Sequence, residues 1–167
     1  SKRAIQVYED LARGVSGNSW PVEIVQVRDL LVEHYLATGH RYQKAGDLEI
    51  AEKEFQKACQ LDPAHRDART ELLECGALVA EKHGDVEGRL KRRRELADLH
   101  PDDVAAQIAA AKLLRKKWQK MRLAEYPGRA KEHRACVEAA LGFLRRATAL
   151  QPDAPQHLAQ LAEAQLL

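Results

Sequence analysis

Two residue pairs recur along this chain at one spacing. Gly46-Asp47 returns as Gly84-Asp85, and Leu61-x-Pro63 returns as Leu99-x-Pro101, each 38 residues further on. A recurrence of that length is the mark of a repeated helical hairpin. Gly46 and Gly84 suit the left-handed position just past a helix end, and the Asp after each can accept hydrogen bonds from the free N–H groups that open the next helix. Pro63 and Pro101 suit the first turn of a new helix, where a missing N–H costs nothing.

Helices are expected from end to end. Aromatic residues make up only 5% of the chain, Ala, Leu, Glu, Lys, Arg and Gln dominate, and no β-branched alternating run occurs. The Pro and Gly punctuation divides the sequence into helices at about 2–13, 21–45, 48–61, 64–83, 86–99, 103–125, 129–150 and 154–166. A hydrophobic content of 45% beside 31% charged residues excludes a wholly disordered chain. A mean hydropathy of −0.50 with no apolar run near the length of a membrane span argues against membrane insertion.

Lys and Arg number 27 against 25 Asp and Glu, leaving a net charge of +2 that by itself implies no nucleic-acid or membrane partner. Cys59, Cys75 and Cys136 lie far apart with no Cys-x-x-Cys, so neither a disulfide framework nor a zinc site is signalled, and an intracellular, cytoplasmic setting fits. The first residues, Ser1-Lys2-Arg3-Ala4, carry no apolar signal region, and the chain reads as a fragment of a larger repeat protein. No phosphate-binding glycine loop, metalloprotease His pair or nucleophile elbow is present. We therefore expect no enzyme, no catalytic residue, no cofactor and no metal. The scattered histidines, among them His65, His83, His100 and His157, fall near helix ends, where solvation or the partial charge of a C-terminus accounts for them.

Between residues 35 and 63 the sequence runs Tyr35, Gly39, Tyr42, Gly46, Ala51, Phe55, Ala58, Leu61, Pro63. In these residues the chain resembles the tetratricopeptide repeat (TPR) family. Small Gly39 and Ala51 let two helices approach closely, the aromatic residues fill the space around them, and Pro63 closes the unit. The resemblance implies an all-α fold of antiparallel helical hairpins stacked in a right-handed TPR-like solenoid. Residues 1–167 then form a single repeat domain with a best unit at 32–65, a degenerate unit at 70–103, an extended irregular unit at 104–153 and a truncated unit at 155–167. In the second unit Arg89 and Arg93 stand where the pattern wants a small residue and an aromatic one. Leu158, Leu161 and Leu166 belong to the truncated unit, whose uncapped end could support self-association.

The same resemblance places the ligand-facing positions on the first helix of each hairpin: Glu33, Leu36, His40, Gln43 and Lys44 in one unit, Glu71, Glu74, Leu78 and Glu81 in the next. It implies a scaffold or adaptor that binds a peptide or helix of another protein on a concave face within a larger assembly. The Lys and Asn set with which some family members clamp a chaperone's C-terminal carboxylate is missing: Leu36, His40, Glu71 and Cys75 stand at its positions. An alternative rests on two basic runs, Arg89, Lys91, Arg92, Arg93 and Arg94, then Lys112, Arg115, Lys116, Lys117, Lys120 and Arg122, with Trp118 among them, which could bind RNA. Against it, residues 91–94 point in several directions round a helix and Glu87 and Glu95 flank them, as on a solvated outer face.

Overall fold

The computed structural model describes residues 22–120 and 127–152. Among the described residues there are six α-helices, one 3-10 turn and no strand: α1 (Val22–Ala45), α2 (Leu48–Leu61), α3 (Arg66–Lys82), α4 (Val86–Leu99), α5 (Val104–Lys120), the turn Pro127–Arg129 and α6 (Ala130–Leu150). The predicted helices at 2–13 and 154–166, the stretch 121–125, and with them Leu158, Leu161 and Leu166, lie outside the described residues. No helix among the described residues is long and apolar enough to cross a membrane.

The 38-residue recurrence is a recurrence of hydrogen bonds. At the end of α1 the Gly46 N–H donates to Gln43 and the Asp47 N–H to Tyr42; at the end of α3 the Gly84 N–H donates to Glu81 and the Asp85 N–H to Ala80. Both are Schellman caps, and each needs its glycine: φ is +87° at Gly46 and +69° at Gly84. The Pro turns repeat as well. Asp62 O accepts from His65 N and His100 O accepts from Asp103 N, both at 3.1 Å, so Pro63 and Pro101 each take the second position of a tight turn.

Two details differ from the sequence reading. The Asp47 side chain makes no capping bond to α2; its backbone carbonyl accepts from Ile50 and Ala51 instead. And α3 starts at Arg66, not at residue 64, because the Asp62 carboxylate holds the Ala64 N–H at 3.0 Å within the turn. His65 is then the N-cap, its Nδ1 accepting from Ala68 N at 3.2 Å, a donor-quenching role at a helix start rather than the solvation expected of it. On α5 the Asp103 carboxylate takes the same role toward Ala105 and Ala106.

The chain divides into two compact units, one up to Asp85 and the other from Val86. In the first, α2 packs on both α1 and α3 around Val32, Tyr35, Leu36, Ala51, Phe55 and Ala58. Phe55 is fully buried, and its ring lies against Gly39: a Cβ at that position would fall 2.7 Å from Phe55 Cδ1 and 2.8 Å from Cζ, closer than carbon atoms can approach without displacement. Cys75, also fully buried, donates its thiol to Leu48 O at 3.4 Å. In the second unit α5 packs on both α4 and α6 around Ala110, Leu114, Trp118, Ala140, Phe143 and Leu144. All three cysteines are free thiols, and burial pushes those of Cys59 and Cys136 up, away from thiolate chemistry.

Overpacking the α1/α2 crossing tests this register. Ala51→Leu should lower stability by about 1 to 3 kcal/mol, and His65→Ala should cost about 1 kcal/mol that His65→Asp restores. Thermal melting of the three variants reads both effects; parent-like melting of Ala51→Leu would contradict the crossing, and a His65→Asp variant no better than His65→Ala would contradict the cap.

Candidate functional site

In the first unit α1 and α3 present the ligand-facing positions that the resemblance implies. The structure brings two of them near each other: His40 Nε2 on α1 lies 3.7 Å from Glu71 Oε1 on α3. The imidazole is held from behind by Phe55, edge to face, with centroids 5.3 Å apart and planes at 69°. One ring thus contacts both the tight crossing in the core and the acid on the neighbouring helix. Farther along, His65 Nε2 stands 3.9 Å from Glu33 Oε1. Gln43 and Leu78 are half-buried, and Glu33, Lys44, Glu74 and Glu81 are exposed.

Leu36 does not share that surface. Only 7% of it is exposed, and it packs with Tyr35 and Val32 in the core, so its contribution is to packing. Glu71 is half-buried, and burial is the main reason its carboxyl titrates above the ordinary range; the His40 ring opposes the shift, while Glu74 and Asp67 add to it. These positions together offer a histidine, an amide, an aliphatic side chain, a lysine and several carboxylates.

The basic runs are divided by the helix geometry of the second unit. Arg89 and Arg93, one turn apart on α4, and Lys112, Arg115 and Lys116 on α5 line one cleft of about 500 Å³. Lys91 and Arg94 point elsewhere, into a smaller cavity of about 290 Å³ that they share with Glu87, Glu95 and Asp98. Lys120 is exposed and Arg92 half-buried; Arg122 lies outside the described residues. Lys117 is bound inside its own unit, 2.9 Å from Glu87 and 3.4 Å from Glu132, and the hydrogen bond to Glu87 is the first cause that holds its ammonium protonated to higher pH. Trp118 is 3% exposed within the core and offers no face for a nucleobase to stack on.

Two further residues hold the helices of this unit together, and no sequence motif assigned them that role. Gln107 is fully buried, and its Nε2 donates to Ala97 O at 2.6 Å and to His100 O at 3.2 Å, tying α5 to the carbonyls at the end of α4. Its register with Ala111, Leu114 and Trp118 on one helical stripe was the available sign: a polar residue on an otherwise apolar face needs a buried partner. Lys117, read as part of a basic run, joins α4 through Glu87 to α6 through Glu132. Among the described residues no group of three or more His, Cys, Asp or Glu side chains is placed to hold a metal ion.

No family model matches the chain, and no curated protein matches it in sequence. Solved structures match it in fold. The type III secretion chaperone SycD of Yersinia enterocolitica, in complex with a peptide of the translocator YopD, is similar at a TM-score of 0.50 and 18% identity, over 81% of this chain and 92% of that one. A second structure of SycD is similar at a TM-score of 0.50 and 16% identity, over 89% of this chain and 96% of that one. A thermophilic TPR protein of Thermus thermophilus is similar at a TM-score of 0.48 and 16% identity over 80% of this chain, which spans 63% of that protein's length. Identities at this level speak for fold alone. Together with the Gly39, Ala51, Phe55 and Ala58 crossing and the recurring glycine caps, the likeness to SycD makes this an all-α helical-repeat protein with the TPR-like fold of antiparallel hairpins.

Proposed function

We propose that the chain is a protein-interaction adaptor that binds an extended peptide or a helix of a partner protein on the face formed by α1 and α3. The observation that carries this reading is the His40–Glu71 pair. It brings together side chains from two helices at positions the TPR resemblance makes ligand-facing, and the same imidazole is braced by the buried Phe55. Polar and charged side chains carried on two neighbouring helices suit side-chain recognition of another polypeptide. SycD, similar in fold, has been captured with a peptide of YopD, and a peptide-binding role for the present chain is in keeping with that. The role is one of binding rather than catalysis, in an intracellular, cytoplasmic setting. The RNA reading loses its stacking residue to the core.

Glu71 adds a thermodynamic argument. Its carboxyl titrates higher in the fold than in the unfolded chain, so its stabilising contribution is complete below the unfolded value and is lost as the pH rises through the folded one. At neutral pH an ionised, half-buried acid is therefore retained at the expense of stability, as binding faces commonly do.

A peptide library displayed on phage and selected against the full chain tests the reading. Enriched peptides should lose binding to His40→Ala and Leu78→Asp and keep it with Lys91→Ala. Failure to enrich any sequence, or enrichment indifferent to His40 and Leu78, would contradict it. Glu71→Gln should melt above the parent at neutral pH, with the gap closing as the pH falls through the carboxylate range, and should weaken the same peptides. A variant less stable than the parent at neutral pH would overturn the argument from Glu71.

A further inference from the structure

The cleft between α4 and α5 lies within the second unit and shares no residue with the α1/α3 face. Its described lining brings five cations together, Arg89, Arg93, Lys112, Arg115 and Lys116, and includes no carboxylate. Ala109 and Leu113 line it as well, so the cleft offers apolar surface beside its charges. At about 500 Å³ the cleft has the volume of a few side chains rather than of a folded surface. Arg89 and Arg93 take the positions where the TPR pattern has a small residue and an aromatic one, so the departure from the pattern is what supplies one wall of the cleft.

We propose that this cleft docks a short acidic segment of a partner protein, one that carries an aliphatic side chain between its carboxylates. The argument is complementarity on two counts. The Arg93 guanidinium on α4, with Lys112 and Lys116 one turn apart on α5, matches carboxylates spaced along an extended or helical segment. The apolar surface of Ala109 and Leu113 matches an aliphatic side chain, which a phosphodiester backbone does not have. Nucleic acid of the single-stranded kind would need exposed aromatic faces, and the described lining has none, Trp118 being buried. The inference does not rest on the role given to the α1/α3 face, and its variants leave that face untouched.

Fluorescence anisotropy with the full chain and a fluorescein-labelled peptide of Asp and Glu with interspersed Leu, at physiological salt, tests the proposal. The parent should bind saturably, and replacing the peptide's Leu by Ser should weaken binding. Charge reversal inside the cleft, R93E/K112E/K116E, should weaken it by about tenfold or more. Reversal of an equal charge outside it, K91E/R94E/K120E, should weaken it by less than about threefold, the remainder of a screened long-range field. Should the triple variant lose helicity by circular dichroism, the milder K112Q/K116Q pair takes its place, with an intermediate loss expected. Equal losses from the two reversals, no saturable binding by the parent, indifference to the Leu→Ser change, or tighter binding of oligouridine with the same residue dependence would each overturn it.

Discussion

The close approach of α1 and α2 at Gly39 is the constraint on which the first unit depends. A helix bearing any Cβ at that point would have to stand off from Phe55, and the ring would no longer fill the space between Ala51 and Ala58. Phe55 carries two loads at once. It fills the core of the hairpin, and its edge supports the His40 ring, which reaches Glu71 on α3. The same contact that permits the fold thereby sets the position of the side chain at the centre of the proposed binding face. Geometry in the core is transmitted to the surface through one aromatic residue and one imidazole, without a flexible intermediary.

The second unit solves the corresponding problem by other means. Where the first has a small residue and an aromatic, it has Arg89 and Arg93, whose charged heads cannot be buried cheaply. Polar ties also join its helices: Gln107 to the carbonyls that end α4, Lys117 to Glu87 and Glu132, Arg146 to Asp98 at 3.1 Å. The exposed ion pairs are each worth little in water, so most of the cohesion falls to Leu114, Trp118, Phe143 and Leu144 and to the buried Gln107. Arg89 and Arg93 line the cleft between α4 and α5 instead of filling a core.

The helix pattern was legible because its punctuation is local. Gly46 and Gly84 need a positive φ that other residues resist, and a cap that depends on one residue type leaves its trace in the sequence. The crossing at Gly39, Ala51, Phe55 and Ala58 was legible for a similar reason, since close approach admits few residue types. What stayed hidden is settled by tertiary context. Asp47 has the chemistry of a cap but its side chain is not used, whereas His65 became the cap because the Asp62 turn delays the start of α3 by two residues. Leu36 has the spacing of a ligand-facing residue yet is buried. Five members of two basic runs meet in one cleft while Lys91, Arg94 and Lys117 turn away from it, a sorting decided by which face each helix gives its neighbour.

A double-mutant cycle on Gly39 and Phe55 tests most directly the claim that their contact governs the first unit. Gly39→Ala puts a methyl group into the ring of Phe55. Phe55→Leu removes the ring edge and leaves space beside it. Chemical denaturation of the parent, the two single variants and the double variant gives the coupling. The account predicts that Gly39→Ala destabilises the parent by about 1 to 3 kcal/mol and is close to neutral, or stabilising through its higher helix propensity, once Phe55 is Leu. Additive effects, with Gly39→Ala costing the same in both backgrounds, would contradict it.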